Sequence, residues 1–226
     1  MESDAKKMVS DNKGAERSVF EVVSILLMII FMSVGWTAVP LFTIDAIGLD
    51  ISVFIMLMGE FITAICAYQF FLKKRPGINF CFHQQTGIML FFAGAVVVIL
   101  LLQISAFALS NVQDNGGEQE RLTWVSIFTL IFIVPIYEEI YYRGCVIELI
   151  RLVFTKSMLI PVVLSSIFFC FMHTQYNDYI SYFVLFASSL LIGYTRFKTN
   201  GLFYPVLLHS MMNTIAIFLM SMHSAS

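Results

Sequence analysis

The chain has 226 residues, of which 59% are hydrophobic and 12% charged, with a mean hydropathy of +0.85, whereas ordinary soluble domains carry about 25% charged residues. That balance excludes a soluble globular domain and predicts a polytopic membrane protein, and a formal net charge of -2 supplies no global basic field for nucleic acid. Cys66, Cys81, Cys145 and Cys170 show no CxxC spacing and sit mostly in apolar runs, so they read as packing residues rather than disulfide partners or zinc-finger ligands.

The first seventeen residues, MESDAKKMVSDNKGAER, are polar and mixed in charge. The apolar run after them is too long for a signal-peptide core and lacks a small-x-small cleavage site, so the first helix is expected to be retained. A membrane span needs about 20 apolar residues, and its backbone groups must bond within the segment. On that basis seven helices are predicted, at 19–42, 51–72, 87–110, 122–154, 157–174, 179–196 and 201–222, the fourth long and containing Pro135. The expected fold is an all-α transmembrane bundle. Its expected organisation is an N-terminal segment at 1–18, the first three membrane helices within 19–121, and a membrane-embedded core at 122–222. NVQDNGGEQE reads as a solvated turn and KKRPG as a helix stop.

Lys and Arg in short connections favour the cytoplasmic side. Lys6, Lys7, Lys13 and Arg17 precede the first span, Lys73, Lys74 and Arg75 follow the second, Arg151 and Lys156 flank the fourth connection, and Arg196 and Lys198 flank the sixth. The opposite connections hold only Arg121 and several acids. The expectation is a multi-pass protein of a cell membrane, bacterial plasma membrane by its character, with a cytoplasmic N-terminus.

Against this background IYEEIYYRG, at 136–144, places Glu138, Glu139 and Arg143 at membrane depth, where a charged group costs at least ~2.5 kcal/mol on insertion scales. Arg143 follows Glu139 by four residues, the favourable order for a helical pair, while Glu138 points about 100° off that line. Arg143 is therefore expected to hold Glu139 and leave Glu138 free. The fourth and fifth helices turn near FTKS, and counting out from that turn puts Glu138 and His173 at similar depth, roughly 26 Å in. His209 and Asn213, four apart, share a face of the last helix at about 15–20 Å from its turn at KTNG, a shallower position that tilt or an extended fourth helix must reconcile. A carboxylate beside an imidazole polarises water, and donors from a second His and an Asn stabilise the oxyanion formed when that water attacks a peptide carbonyl. The implied chemistry is hydrolysis without a covalent intermediate; no GxSxG elbow or Ser-His-Asp arrangement competes.

These residues resemble the CPBP intramembrane proteases, a family of metalloprotease or glutamic-protease type that includes the eukaryotic CAAX prenyl proteases and bacterial relatives linked to bacteriocin processing and immunity, the Abi group. Its EExxxR motif is similar to Glu138, Glu139 and Arg143; its FxxxH motif to FCFMH, from Phe169 to His173; its HxxxN motif to HSMMN, from His209 to Asn213, preceded by TNGLFYPVLLH. The resemblance covers residues 120 to 215 and implies an intramembrane endopeptidase. By it, Glu138 and His173 activate water and His209 and Asn213 form the oxyanion site, with Glu139, Arg143 and Phe169 in support. The implied partners are a membrane-associated peptide or protein substrate and the lipid bilayer, with no nucleic acid; a bacteriocin precursor, a signal-peptide remnant or a membrane regulator fits better than a prenylated CaaX protein.

Other readings stand beside this one. The Glu and Arg cluster is also what a buried packing ion pair looks like, His173 what an interfacial residue near TQYND looks like, and His209 with Asn213 what interhelical hydrogen-bond glue looks like; together these describe a non-catalytic immunity or scaffold protein. No cofactor is expected, with zinc as the alternative: HExxH is absent, and catalytic zinc would need Glu138, His173 and His209 all within about 2 Å of one atom. Tyr137, Tyr141 and Tyr142 read as packing and interface aromatics, and His83 and His223 as surface residues. Glu60, an acid inside the second span with no nearby base in sequence, reads as protonated, paired across the bundle, or part of a cavity.

Overall fold

A computed structural model describes residues 20, 23–27, 30–31, 34–75, 77–110, 123–154, 157–173, 176 and 178–223, with Ser110 and His223 in backbone only. The N-terminal segment 1–18, the NVQDNGGEQE turn with Arg121, Lys156, and most of the TQYND connection lie outside the described residues. Helix is the regular structure throughout what is described: α1 Val34–Ile47, α2 Leu49–Leu72, α3 Thr86–Ser110, α4 Trp124–Val153, α5 Leu159–Met172, α6 Tyr179–Thr199 and α7 Phe203–His223. Of these, α2, α3, α4, α6 and α7 are long and apolar enough to cross a membrane, while α1 and α5 are short apolar helices. The chain is thus a helical membrane bundle, with five long apolar spans and two shorter apolar helices among the described residues.

A proline lies in each of the two shorter helices. Pro40 carries no N–H for the helical ladder, and the first predicted span bends at Ala38 and continues to Ile47 instead of ending near 42. Pro161 falls in the first turn of α5, where backbone N–H groups have no intrahelical acceptor anyway. α1 lies against α2 where Gly59 leaves room for the Trp36 indole; a Cβ there would overlap the ring. The indole N–H donates to Thr63 Oγ1 at 3.2 Å.

α4 contacts α2, α5 and α7, and α6 contacts α3, α5 and α7, so the bundle is built around these two helices. One apolar core gathers Ala64, Ala67, Ile140, Tyr141, Tyr142 and Phe169 between α2, α4 and α5. A second gathers Ala95, Ile99, Ile192, Leu208 and Met212 between α3, α6 and α7. Tyr141 and Tyr142 are therefore core residues, not interface ones.

The stop at KKRPG ends α2 and starts a connection that pins the α6–α7 turn: Leu202 N–H donates to the Asn79 carbonyl at 2.8 Å, and the Tyr204 hydroxyl to the His83 carbonyl at 2.5 Å. His83 is accordingly tied into the fold, its Nδ1 buried. α6 closes on Asn200 in the left-handed conformation, with φ 49°. Arg196, one of the cations that flank the sixth connection, is 2% exposed and pairs with Glu148 at 2.5 Å, because α6 packs its last turn inward. Cys81 and Cys66 are exposed, Cys145 is buried, and all four thiols are free.

Gly201 follows Asn200, and a Cβ there would sit 2.8 Å from the Asn79 carbonyl oxygen. Gly201→Ala is expected to push that connection away and destabilise the fold by about 1–3 kcal/mol, seen as a lower melting temperature of the detergent-solubilised protein.

Candidate active site

α4 carries the site, and it is not a uniform α-helix. Residues 129–133 and 140–146 form wide π turns, one on each side of the EE pair. The first follows from Pro135. Val134 N–H reaches back five residues to the Thr129 carbonyl. In that register the donor for Leu130 is residue 135, a proline without an N–H, and the Leu130 carbonyl is left with no intrahelical partner. Asn213 Nδ2 on α7 supplies it, donating to Leu130 O at 2.8 Å. A backbone carbonyl left unsatisfied inside a membrane is costly, so this side chain completes α4.

Glu139 and Arg143 are 0% and 1% exposed and pair at 3.2 Å between Oε2 and Nε. The Arg143 guanidinium continues to α6, with Nη2 donating to the Ser189 carbonyl at 3.0 Å and hydroxyl at 2.9 Å. It also lies 5.1 Å over the Phe169 ring. The other Glu139 oxygen accepts a 2.8 Å hydrogen bond from His209 Nδ1, which leaves His209 Nε2 facing Glu138 Oε2 at 3.6 Å.

His173 closes α5. Its Nδ1 donates to the Phe169 carbonyl at 2.7 Å, one turn back, and its ring stacks on the Phe169 ring at 4.1 Å. A carbonyl only accepts, so the Nδ1 proton is fixed there and Nε2 carries the lone pair in the neutral ring. That Nε2 stands 4.0 Å from Glu138 Oε1. Phe169 is 1% exposed and touches Arg143, His173 and His209, which makes it the apolar buttress of the whole cluster.

Glu138 is therefore the acid left uncommitted, with an imidazole on either oxygen at distances beyond direct hydrogen bonding. A water about 2.8 Å from both partners fits across a gap of that width. Charges balance in a definite way: Arg143 neutralises Glu139, and Glu138 with its two imidazoles is neutral when the three share one added proton. Glu138 and His173 line a cavity of about 780 Å³ bounded by α1, α2, α4 and α5. His209 is 2% exposed and sits behind Glu138 rather than on that wall.

Two sequence expectations change. Asn213 is apart from the other three: its amide is engaged with Leu130, and it lines a separate cavity of about 210 Å³. The cause is Pro135, which was visible, and the π register, which was not. Glu60 was left open and Tyr137 assigned to packing; both line the larger cavity. For zinc, the alternative reading, Glu138 with His173 Nε2 and His209 Nε2 would be the residues to hold it, 4.0 and 3.6 Å from the carboxylate oxygens, while among the described residues no group of three His, Cys, Asp or Glu side chains is arranged as a metal cluster.

Fold and site together define a helical membrane protein with a Glu/His centre inside the bundle. Residues 120–215 match the family model of the Type II CAAX prenyl endopeptidase Rce1-like proteins, the segment that holds all three motifs and the resemblance read from sequence. The match supports a CAAX-type intramembrane protease in general terms. The chain is also 27% identical, over 93 residues and 41% of its length, to an Escherichia coli protein described as "Uncharacterized 24.3 kDa protein". That alignment spans 43% of the relative, less than half its length. No solved structure matches.

Removing Arg143 strands Glu139 in the bundle, so Arg143→Ala is expected to cost about 3–5 kcal/mol. Asn213→Ala strands one carbonyl and should cost about 0.6–2 kcal/mol. Chemical or thermal unfolding in detergent ranks the two; an Asn213→Ala protein as stable as wild type contradicts the capping role.

Proposed function

We propose that the protein is an intramembrane endopeptidase that hydrolyses a peptide bond of a membrane-associated peptide or protein. The observation that supports this best is Glu138 standing between two imidazole nitrogens at 4.0 and 3.6 Å, on the wall of a cavity of about 780 Å³. Glu138 takes a proton from a water held between it and His173 Nε2. The oxygen of that water bonds to the carbonyl carbon of the substrate, and the electron pair of the C=O moves to oxygen. His209, its Nδ1–H on Glu139, stands behind Glu138 with Nε2 toward Oε2 and orients that carboxylate. Glu138 then returns the proton to the leaving nitrogen as the C–N bond breaks, so one water is consumed and an acid and an amine are released. The hydroxyl residues on the described cavity wall are Thr37, Thr63, Tyr137, Tyr141 and Tyr142, with no serine or cysteine among them, which favours direct attack by water over an acyl-enzyme. Asn213 acts through α4, as the residue that keeps the Leu130 turn intact, rather than on the oxyanion. An N-terminus on the cytoplasmic side and a bacterial plasma membrane complete the reading.

Glu138→Gln keeps the shape of the side chain and removes the base. Cleavage of a fluorogenic apolar peptide by protein in nanodiscs is expected to fall at least ~100-fold, with melting temperature unchanged. Full turnover in that variant would refute the mechanism. Incubation with a strong chelator is expected to leave wild-type turnover intact; loss of activity restored by zinc would replace this mechanism with a metal-dependent one.

A further inference from the structure

The large cavity contains a second acid that the proposed reaction does not use. Glu60 projects from α2 into the same space as Glu138 and His173, with Tyr137, one residue before Glu138, on the same wall. The rest of the described wall is mainly apolar: Ile30, Val34, Met56, Leu57, Phe168 and Met172 are typical. It includes no Lys or Arg among its described residues. Arg143 is not on this wall; Glu139 and Ser189 hold it.

An acid at membrane depth is costly, and such groups mark substrate paths when they face a cavity. If Glu60 served only to pack the bundle, a neutral amide would have filled the same space. A carboxyl on an apolar wall without a resident cation is complementary to a cationic side chain brought in from outside. We propose that Glu60 is a specificity-determining residue, and that the cavity selects a peptide carrying a lysine or arginine side chain within an otherwise apolar segment. The apolar wall takes the hydrocarbon part of that segment and the stem of the basic side chain, and Glu60 takes its charged end. The same charge disfavours a substrate that presents a free carboxylate to this part of the cavity.

This inference rests on the peptidase reading for the kind of ligand, so binding and cleavage are measured separately. Glu138→Gln protein in nanodiscs is titrated with synthetic apolar peptides identical except for one position, which bears lysine, norleucine or glutamate. The lysine peptide is expected to bind about tenfold more tightly than the norleucine peptide, the discrimination one partly desolvated charge pair supplies. Glu60→Gln, which preserves size, is expected to bring the two within about twofold, and Glu60→Asp to retain the preference. Equal binding of lysine and norleucine peptides, a preference that survives Glu60→Gln, or tighter binding of the glutamate peptide would each overturn the proposal. Lysine-selective binding without hydrolysis by wild-type protein would leave Glu60's role standing and remove the peptidase reading instead.

Discussion

The buried pair between Glu139 and Arg143 is the interaction on which the rest depends. An unpaired charge inside the membrane bundle would be destabilising by several kcal/mol, so the two groups are held against each other and against neighbouring helices. Arg143 spends one side on Glu139 and another on Ser189 of α6. Glu139 spends its remaining oxygen on His209 of α7. One ion pair thereby joins α4 to α6 and α7 and fixes the orientation of an imidazole. Phe169 adds α5 by packing beneath the guanidinium. With these charges matched, Glu138 is the acid of the pair whose protonation is open to chemistry.

The wide turns of α4 are the second determinant. Pro135 removes a donor, the helix widens before it, and a carbonyl is exposed that only another helix can satisfy. The widening beyond Glu139 also shortens the advance of the chain between the EE pair and the α4–α5 turn. Counting at the α-helical rise places Glu138 too deep relative to His209, yet the two stand 3.6 Å apart.

What the sequence reveals here follows from what is costly in lipid. Charges among apolar residues stand out, and the four-residue spacing of Glu139 and Arg143 identifies which of the two acids is engaged. Equal counts from a hairpin turn suffice to bring Glu138 and His173 to one depth. The helical class is equally plain, because long apolar runs have no other way to satisfy their backbones. What stays hidden depends on helix rotation and register. His209 and Asn213 share a face by spacing, but the π turn decides that one meets Glu139 and the other Leu130. Arg196 looks like one more cation flanking the sixth connection until α6 turns it onto Glu148. Glu60 could be assigned only once α2 was seen to face Tyr137 across a cavity.

The dependence of α4 on α7 also sets an order of events. Ribosomes deliver α4 to the bilayer well before α7, so during synthesis Glu139 has no His209 and Leu130 no Asn213. The Glu/His cluster is therefore complete only when α7 docks against α4 and supplies both partners.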